Sequence, residues 1–177
     1  MAEQFSNSLT RTAGELVTKT GCTITAGSAD ITVTANTDLY IGQLVDHGSF
    51  IAGTKVTNIV GTTITADNTS SSSGSTESVK FLGVTTAYSS PSATKSILVG
   101  GTFANNTTSQ VELTVEIKDN SAGITAALAS KIPVPAGSSF VISDAGKTIL
   151  EGQDEVHIYV NGNNAIDANL SILTGVN

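Results

Sequence analysis

The chain has 177 residues, of which 39% are apolar and 13% charged, with a formal net charge of −7 and a pI near 4.6. Its eight basic residues are scattered, so no basic surface exists to displace counterions from a phosphate backbone, and nucleic acid is excluded as an expected partner. Cys22 is the sole cysteine, which excludes an intramolecular disulfide, and no apolar run reaches membrane-spanning length, so no membrane partner is expected.

Low charge with abundant Thr, Ser, Asn and Gly suits short strands and many turns. Residues 1–20 differ from the rest: Phe5, Leu9, Leu16 and Val17 stand isolated among polar residues, and Gly14 would interrupt a helix. Two readings stand for this segment, a frayed terminus or an arm that orders on a neighbouring subunit. The start carries neither a basic nor an apolar leader region, so the chain is expected to be made in a cytoplasm without a cleaved secretion signal.

Residues 21–82 read as one small Thr/Gly-rich β-module. Cys22–Thr25 starts it, and Ile31 and Val33 alternate with threonines at period two. Leu39–Val45 reads as a strand, Asp46–Ser49 as a loop, and Lys55–Val60 and Thr62–Ala66 as further strands. The Ser-rich run from Asp67 to Thr76 reads as a flexible, solvated loop before Ser78–Leu82 closes the module.

Residues 83–177 read as a second β-domain. Val84–Tyr88 and Ser96–Phe103 are strands, and the Gly100–Gly101 doublet inside the second marks a bulge or a close backbone approach. Val111, Leu113, Val115 and Ile117 line one face of the next strand while Glu112, Thr114, Glu116 and Lys118 line the other, which predicts one packed and one wet face in an antiparallel sheet. Ile124–Ile132 carries helix-favouring alanines in a strand context, and Pro133 and Pro135 place the next stretch at a sheet edge or in a loop. Ser138–Ile142, Thr148–Leu150, Val156–Val160 and Asn169–Leu173 complete the set. The fold class is therefore all-β: an antiparallel, jelly-roll-like β-sandwich at the C-terminal side plus a smaller inserted β-module.

The second domain resembles small β-rich structural proteins of tailed phages, notably those of marine cyanobacteria. The resemblance rests on Leu82–Pro91, Lys95–Val99, an Asn-Asn-Thr turn followed by Val111–Val115, Lys131–Ser138, Ile149–Asp154 and a last strand ending at Leu173. Met1–Leu9 is similar to the short leader of those proteins, and the match covers about half of the chain. The first module departs from that short form and looks like an insertion. The resemblance implies a non-enzymatic virion protein, made in the host cytoplasm, that decorates or attaches to capsid, neck or tail. Its expected partners are other virion proteins and copies of itself.

Chemistry-bearing residues are sparse. Asp46-His47 hints at a metal or acid–base pair, but a metal needs three or more converging ligands, and a solvated loop is the expectation. His157 sits opposite Val156 and Ile158 beside Tyr159, on a face read as wet; if subunits packed there, it would be a pH-sensitive contact. Asp144, Glu151, Asp154 and Glu155 lie near turns without a calcium-loop spacing. No catalytic, cofactor-binding or metal-binding residue and no cofactor is assigned, and no enzymatic activity is expected. Phe5, Leu9 and Arg11 are the residues expected to touch a partner. The alternative function is a receptor- or glycan-binding module of a fibre or appendage, for which Tyr40, Tyr88, Tyr159 and the phenylalanines are the aromatic resources.

Overall fold

The computed structural model describes residues 3–143 and 147–176, and no helix occurs among them. The strands are β1 (Gln4–Ala13), β2 (Glu15–Ile24), β3 (Asp30–Thr32), β4 (Leu44–Asp46), β5 (Val56–Val60), β6 (Thr63–Ala66), β7 (Gly74–Gly83) and β8 (Thr85–Ser89). They continue with β9 (Lys95–Asn105), β10 (Val111–Asp119), β11 (Ile124–Val134), β12 (Ser139–Ile142), β13 (Thr148–Leu150), β14 (Glu155–Val160) and β15 (Ile166–Val176). Two units result: residues 1–14 with 85–177, and residues 15–84.

The larger unit is a β-sandwich. One sheet runs β1-β15-β9-β12, with β13 also on β9, and the other runs β11-β10-β14-β8. All pairings are antiparallel. Taking β12 and β13 as one interrupted strand, this is the strand order of a jelly roll. Leu98, Phe103, Leu150, Ile166, Leu170 and Ile172 of the first sheet pack against Val111, Leu113, Val115, Val156, Ile158 and Val160 of the second. Each such side chain contributes about 1.5–3 kcal/mol on burial. The apolar face predicted for β10 is the packed one, but the opposite face is not wet as expected: Thr114 and Glu116 on it are buried too.

One detail of this unit agrees with the residue pattern, and a second settles a segment that the pattern left between helix and strand. Opposite Gly100 the register of β9 and β15 shifts, and a Cβ on Gly101 would lie 2.6 Å from Leu170 Cδ2, so the glycine pair serves both a bulge and a close approach. Ile124–Val134 is strand β11, at an edge of its sheet, where Pro133 is tolerated.

The smaller unit is one six-stranded sheet of order β4-β7-β2-β3-β6-β5. Gly42 N donates to Val56 O at 2.9 Å, Val56 N to Gln43 O at 3.0 Å and Val45 N to Thr54 O at 2.8 Å. With the Leu44–Lys55 bridge, these bonds tie the first edge back to the last and close the sheet around Cys22, Ile24, Ile31, Val33, Val45, Phe50, Val56, Ile64, Val79 and Phe81.

Several expectations are corrected. The segment 1–20 is not an arm: residues 4–13 form a strand of the larger unit and 15–24 a strand of the smaller one. The units consequently divide at 14/15 and 84/85 rather than at 20/21 and 82/83. The alternation of β1 is hard to see because its inward positions are polar: Ser8 Oγ donates to Ala87 O at 2.8 Å and Thr10 Oγ1 to the same oxygen at 3.4 Å.

Leu39–Gln43 is a loop with a turn at Ile41 and Gly42, not part of a strand. The fully buried Gln43 side chain holds it, accepting from Tyr40 N at 3.0 Å and donating to Asp38 O at 3.2 Å. The Ser-rich run is fastened rather than free. Ser70 is buried and its N–H donates to Ser28 O at 2.8 Å; Ser71 N donates to Ser49 O at 2.8 Å, and β7 begins at Gly74.

Candidate functional site on the outer sheet face

Strand β1 is the edge of the sheet β1-β15-β9-β12. Period-two alternation sends Phe5, Asn7, Leu9 and Arg11 to the outer face of the sandwich, away from the core. Phe5 is 73% exposed, Leu9 71%, and the Arg11 side chain 86%. The three residues expected to touch a partner therefore lie on one face of one strand.

Register extends that face across the sheet. Phe5 pairs with Leu173, Leu173 with Ile97, and Ile97 with Ile149. Directly paired residues point to the same side, so these four side chains form one apolar row across four strands. Ile149 is 61% exposed, while Leu173 and Ile97 are half-buried by their neighbours. A second row runs Leu9, Asn169, Thr102, Val141, with Val141 exposed. No single stretch of sequence carries either row; each exists only once the register is known.

Beside Leu9 lies a shallow recess of about 410 Å³ lined by Arg11, Thr102, Ala104, Asp167 and Asn169 among others. Arg11 Nε is 3.9 Å from Asp167 Oδ2, and Thr12 N donates to Asp167 Oδ1 at 2.8 Å. That backbone bond first, aided by Asn106 and the Arg11 charge against slight desolvation, holds the Asp167 carboxyl below its usual range.

Several titratable residues elsewhere have structural partners. His157 is not on a wet face: it is 9% exposed, and Thr114, Glu116 and Tyr159 around it are buried as well. In the ladder it stands between Glu116 and Thr86, with Tyr159 edge-on at 6.4 Å between ring centroids, so neighbouring side chains close over it. It is consequently unavailable as a contact between subunits. Its Nε2 lies 2.8 Å from Glu155 Oε2, and Lys118 Nζ donates to the same oxygen at 3.1 Å. Burial pushes the Glu155 carboxyl up, but the His157 and Lys118 hydrogen bonds and charges outweigh it and leave the group below its ordinary value.

His47 is likewise held rather than solvated. Its Nδ1 accepts from Ser49 N at 3.2 Å, its Nε2 lies 3.4 Å from Glu77 Oε2, and its ring meets Phe50 edge-on. Cys22 is fully buried in β2; burial pushes its thiol up against the opposing Val79 backbone bond and Lys19 charge, which makes it a poor nucleophile. The buried Asp154 carboxylate accepts from Asn120 N at 3.1 Å and Glu151 N at 2.8 Å, which orders the turn before β14. Glu151 pairs with Lys95 at 3.1 Å on the surface. Asp144 lies outside the described residues. Among the described residues no three His, Cys, Asp or Glu side chains are grouped to hold a metal ion.

No family model, curated protein or solved structure matches this chain.

Proposed function

We propose that this chain is a non-enzymatic structural protein of a phage virion, a jelly-roll subunit that attaches to capsid, neck or tail and to copies of itself. The observation that carries the reading is the outward-facing apolar row Phe5–Leu173–Ile97–Ile149 on the outer sheet face, exposed at its two ends. Such a row gains free energy only when covered, at about 25 cal/mol per Å² of apolar surface removed from water. Two-sheet jelly rolls recur in viral capsid and lectin domains, which supports the reading by analogy of fold. The mechanism is then interface physics: shallow contacts repeated by symmetry. The virion is the place of action, and the host cytoplasm the place of synthesis.

The test is to purify particles and count this protein against the major capsid protein. Hundreds of copies indicate shell decoration and a dozen or so indicate neck or tail; absence from particles overturns the proposal. The recess beside Leu9 favours a second reading, a receptor- or glycan-binding appendage module. Arg11, Asp167, Asn169 and Thr102 offer it donors and acceptors suited to sugar hydroxyls. Selective binding on a glycan array that is lost in Asn169→Ala would favour that reading over decoration.

A further inference from the structure

Strand edges in this molecule are protected to different degrees. The smaller unit closes its sheet on itself. In the larger unit, β8 is five residues long, β12 and β13 are four and three, and β11 carries Lys131, Pro133 and two register shifts. Short strands, lysine, proline and bulges are the devices that discourage pairing at an edge. Strand β1 has ten residues, contains neither Lys nor Pro, and pairs in regular register with β15 from Gln4 to Thr10. Among the described residues, its backbone groups on the side away from β15 form a ladder without a partner strand in the sheet order.

The sequence on this edge is complementary to itself. Laid antiparallel on a second copy about a two-fold axis through Asn7, Glu3 meets Arg11, Gln4 meets Thr10, Phe5 meets Leu9, Ser6 meets Ser8, and Asn7 meets Asn7. Opposite charges, apolar pairs and hydroxyl pairs each fall opposite their match, and each such cross-strand pair is favourable. Registers displaced by two residues either way lose this: they set Phe5 against Asn7 or Arg11, or Glu3 against Leu9.

We infer that a second copy of this chain pairs with β1 through this register, an isologous edge-to-edge dimer that joins two sandwich sheets into one. The two-fold stands perpendicular to the sheet, so the outer faces remain on one side. Phe5 of each copy then packs on Leu9 of the other, and the apolar row of one copy continues into the second row of its mate. This inference rests on the homo-oligomer part of the proposed function and gives that part an interface.

The test uses the purified full chain, without particles, so its failure leaves incorporation into virions to be judged separately. Asn7→Cys places two thiols on the axis, within the Cα separation of about 4.4–6.8 Å that a disulfide spans. Leu9→Cys places its two thiols about 14 Å apart along the strands, beyond that reach. Cys22 is buried and does not compete. Under mild oxidation Asn7→Cys is expected to give a covalent dimer, and Leu9→Cys is not.

Sedimentation adds a check on register. Glu3→Arg alone is expected to weaken the dimer about tenfold, and Glu3→Arg with Arg11→Glu to restore it. Circular dichroism confirms that each variant keeps its strands. A chain that stays monomeric at 100 μM, equal crosslinking of the two cysteine variants, or no rescue by the charge swap overturns the inference.

Discussion

At the scale of single residues, stability rests on a few buried polar side chains that fasten loops. Asn105 is the strongest case. Its Nδ2 donates to Ser109 O at 2.8 Å and Val134 O at 2.9 Å, while its Oδ1 accepts from Thr107 N at 2.8 Å. Asn105→Ala leaves those groups without partners and is expected to destabilise the chain by about 2–3 kcal/mol in urea unfolding. Asn105→Asp should lose as much, because a carboxylate cannot donate to Val134 O. Two further residues give stability opposite dependences on pH. Glu155 has a folded pKa below its unfolded value of about 4.5, so its contribution is present above that pH and is lost as pH falls through the folded value. Acid titration of unfolding free energy should therefore show a decline below about 4.5 that Glu155→Gln flattens. Tyr40 runs the other way. Burial, together with its 2.8 Å bond to Glu15 and that carboxylate's charge, pushes the phenol up to about 12 from 10.0. Its contribution is complete below pH 10.0 and is lost as pH rises toward 12, and Tyr40→Phe should remove that alkaline decline.

At the scale of elements, the strands with one apolar face are legible from sequence, and those stabilised by polar contacts are not. Val111–Ile117 announces itself because every second side chain enters the core. Strand β1 does not, because Ser8 and Thr10 take its inward positions and its apolar residues point outward. The burial of His157 is equally hidden: alternation assigns a face, but burial of that face depends on neighbours from β8 and β10. Phe5, Leu9 and Arg11 are legible as candidates, whereas the alignment of Phe5 with Leu173, Ile97 and Ile149, and of Leu9 with Val141, requires register. Gly14 shows how sharply one element ends. Its φ is +115°, its N–H donates to Thr85 Oγ1 at 3.3 Å, and an added Cβ would collide with the Gly162 carbonyl oxygen. Gly14→Ala is expected to cost about 2 kcal/mol or more, read as a lower midpoint in denaturant at unchanged slope.

At the scale of the whole molecule, the chain leaves the larger unit after Gly14 and returns at Thr85, two residues joined by a hydrogen bond of 3.3 Å. Replacing residues 15–84 by a short Gly-Ser link is therefore expected to leave a folded jelly roll, and residues 15–84 alone, with their own apolar core, are expected to fold as well. Dispersed proton NMR spectra from both fragments would bear this out; collapsed spectra would count against it. Removing residues 1–20 should instead unfold both units, since it takes away β1 and more than half of β2.

The pairing of Glu15 with Gly83 has a mechanical consequence. Both roots of the smaller unit lie at the same end of the β2–β7 ladder, so a load pulling them apart acts on one rung at a time. The ladder then opens like a zipper instead of resisting in shear. Under tension at its roots this unit is expected to open rung by rung and lengthen.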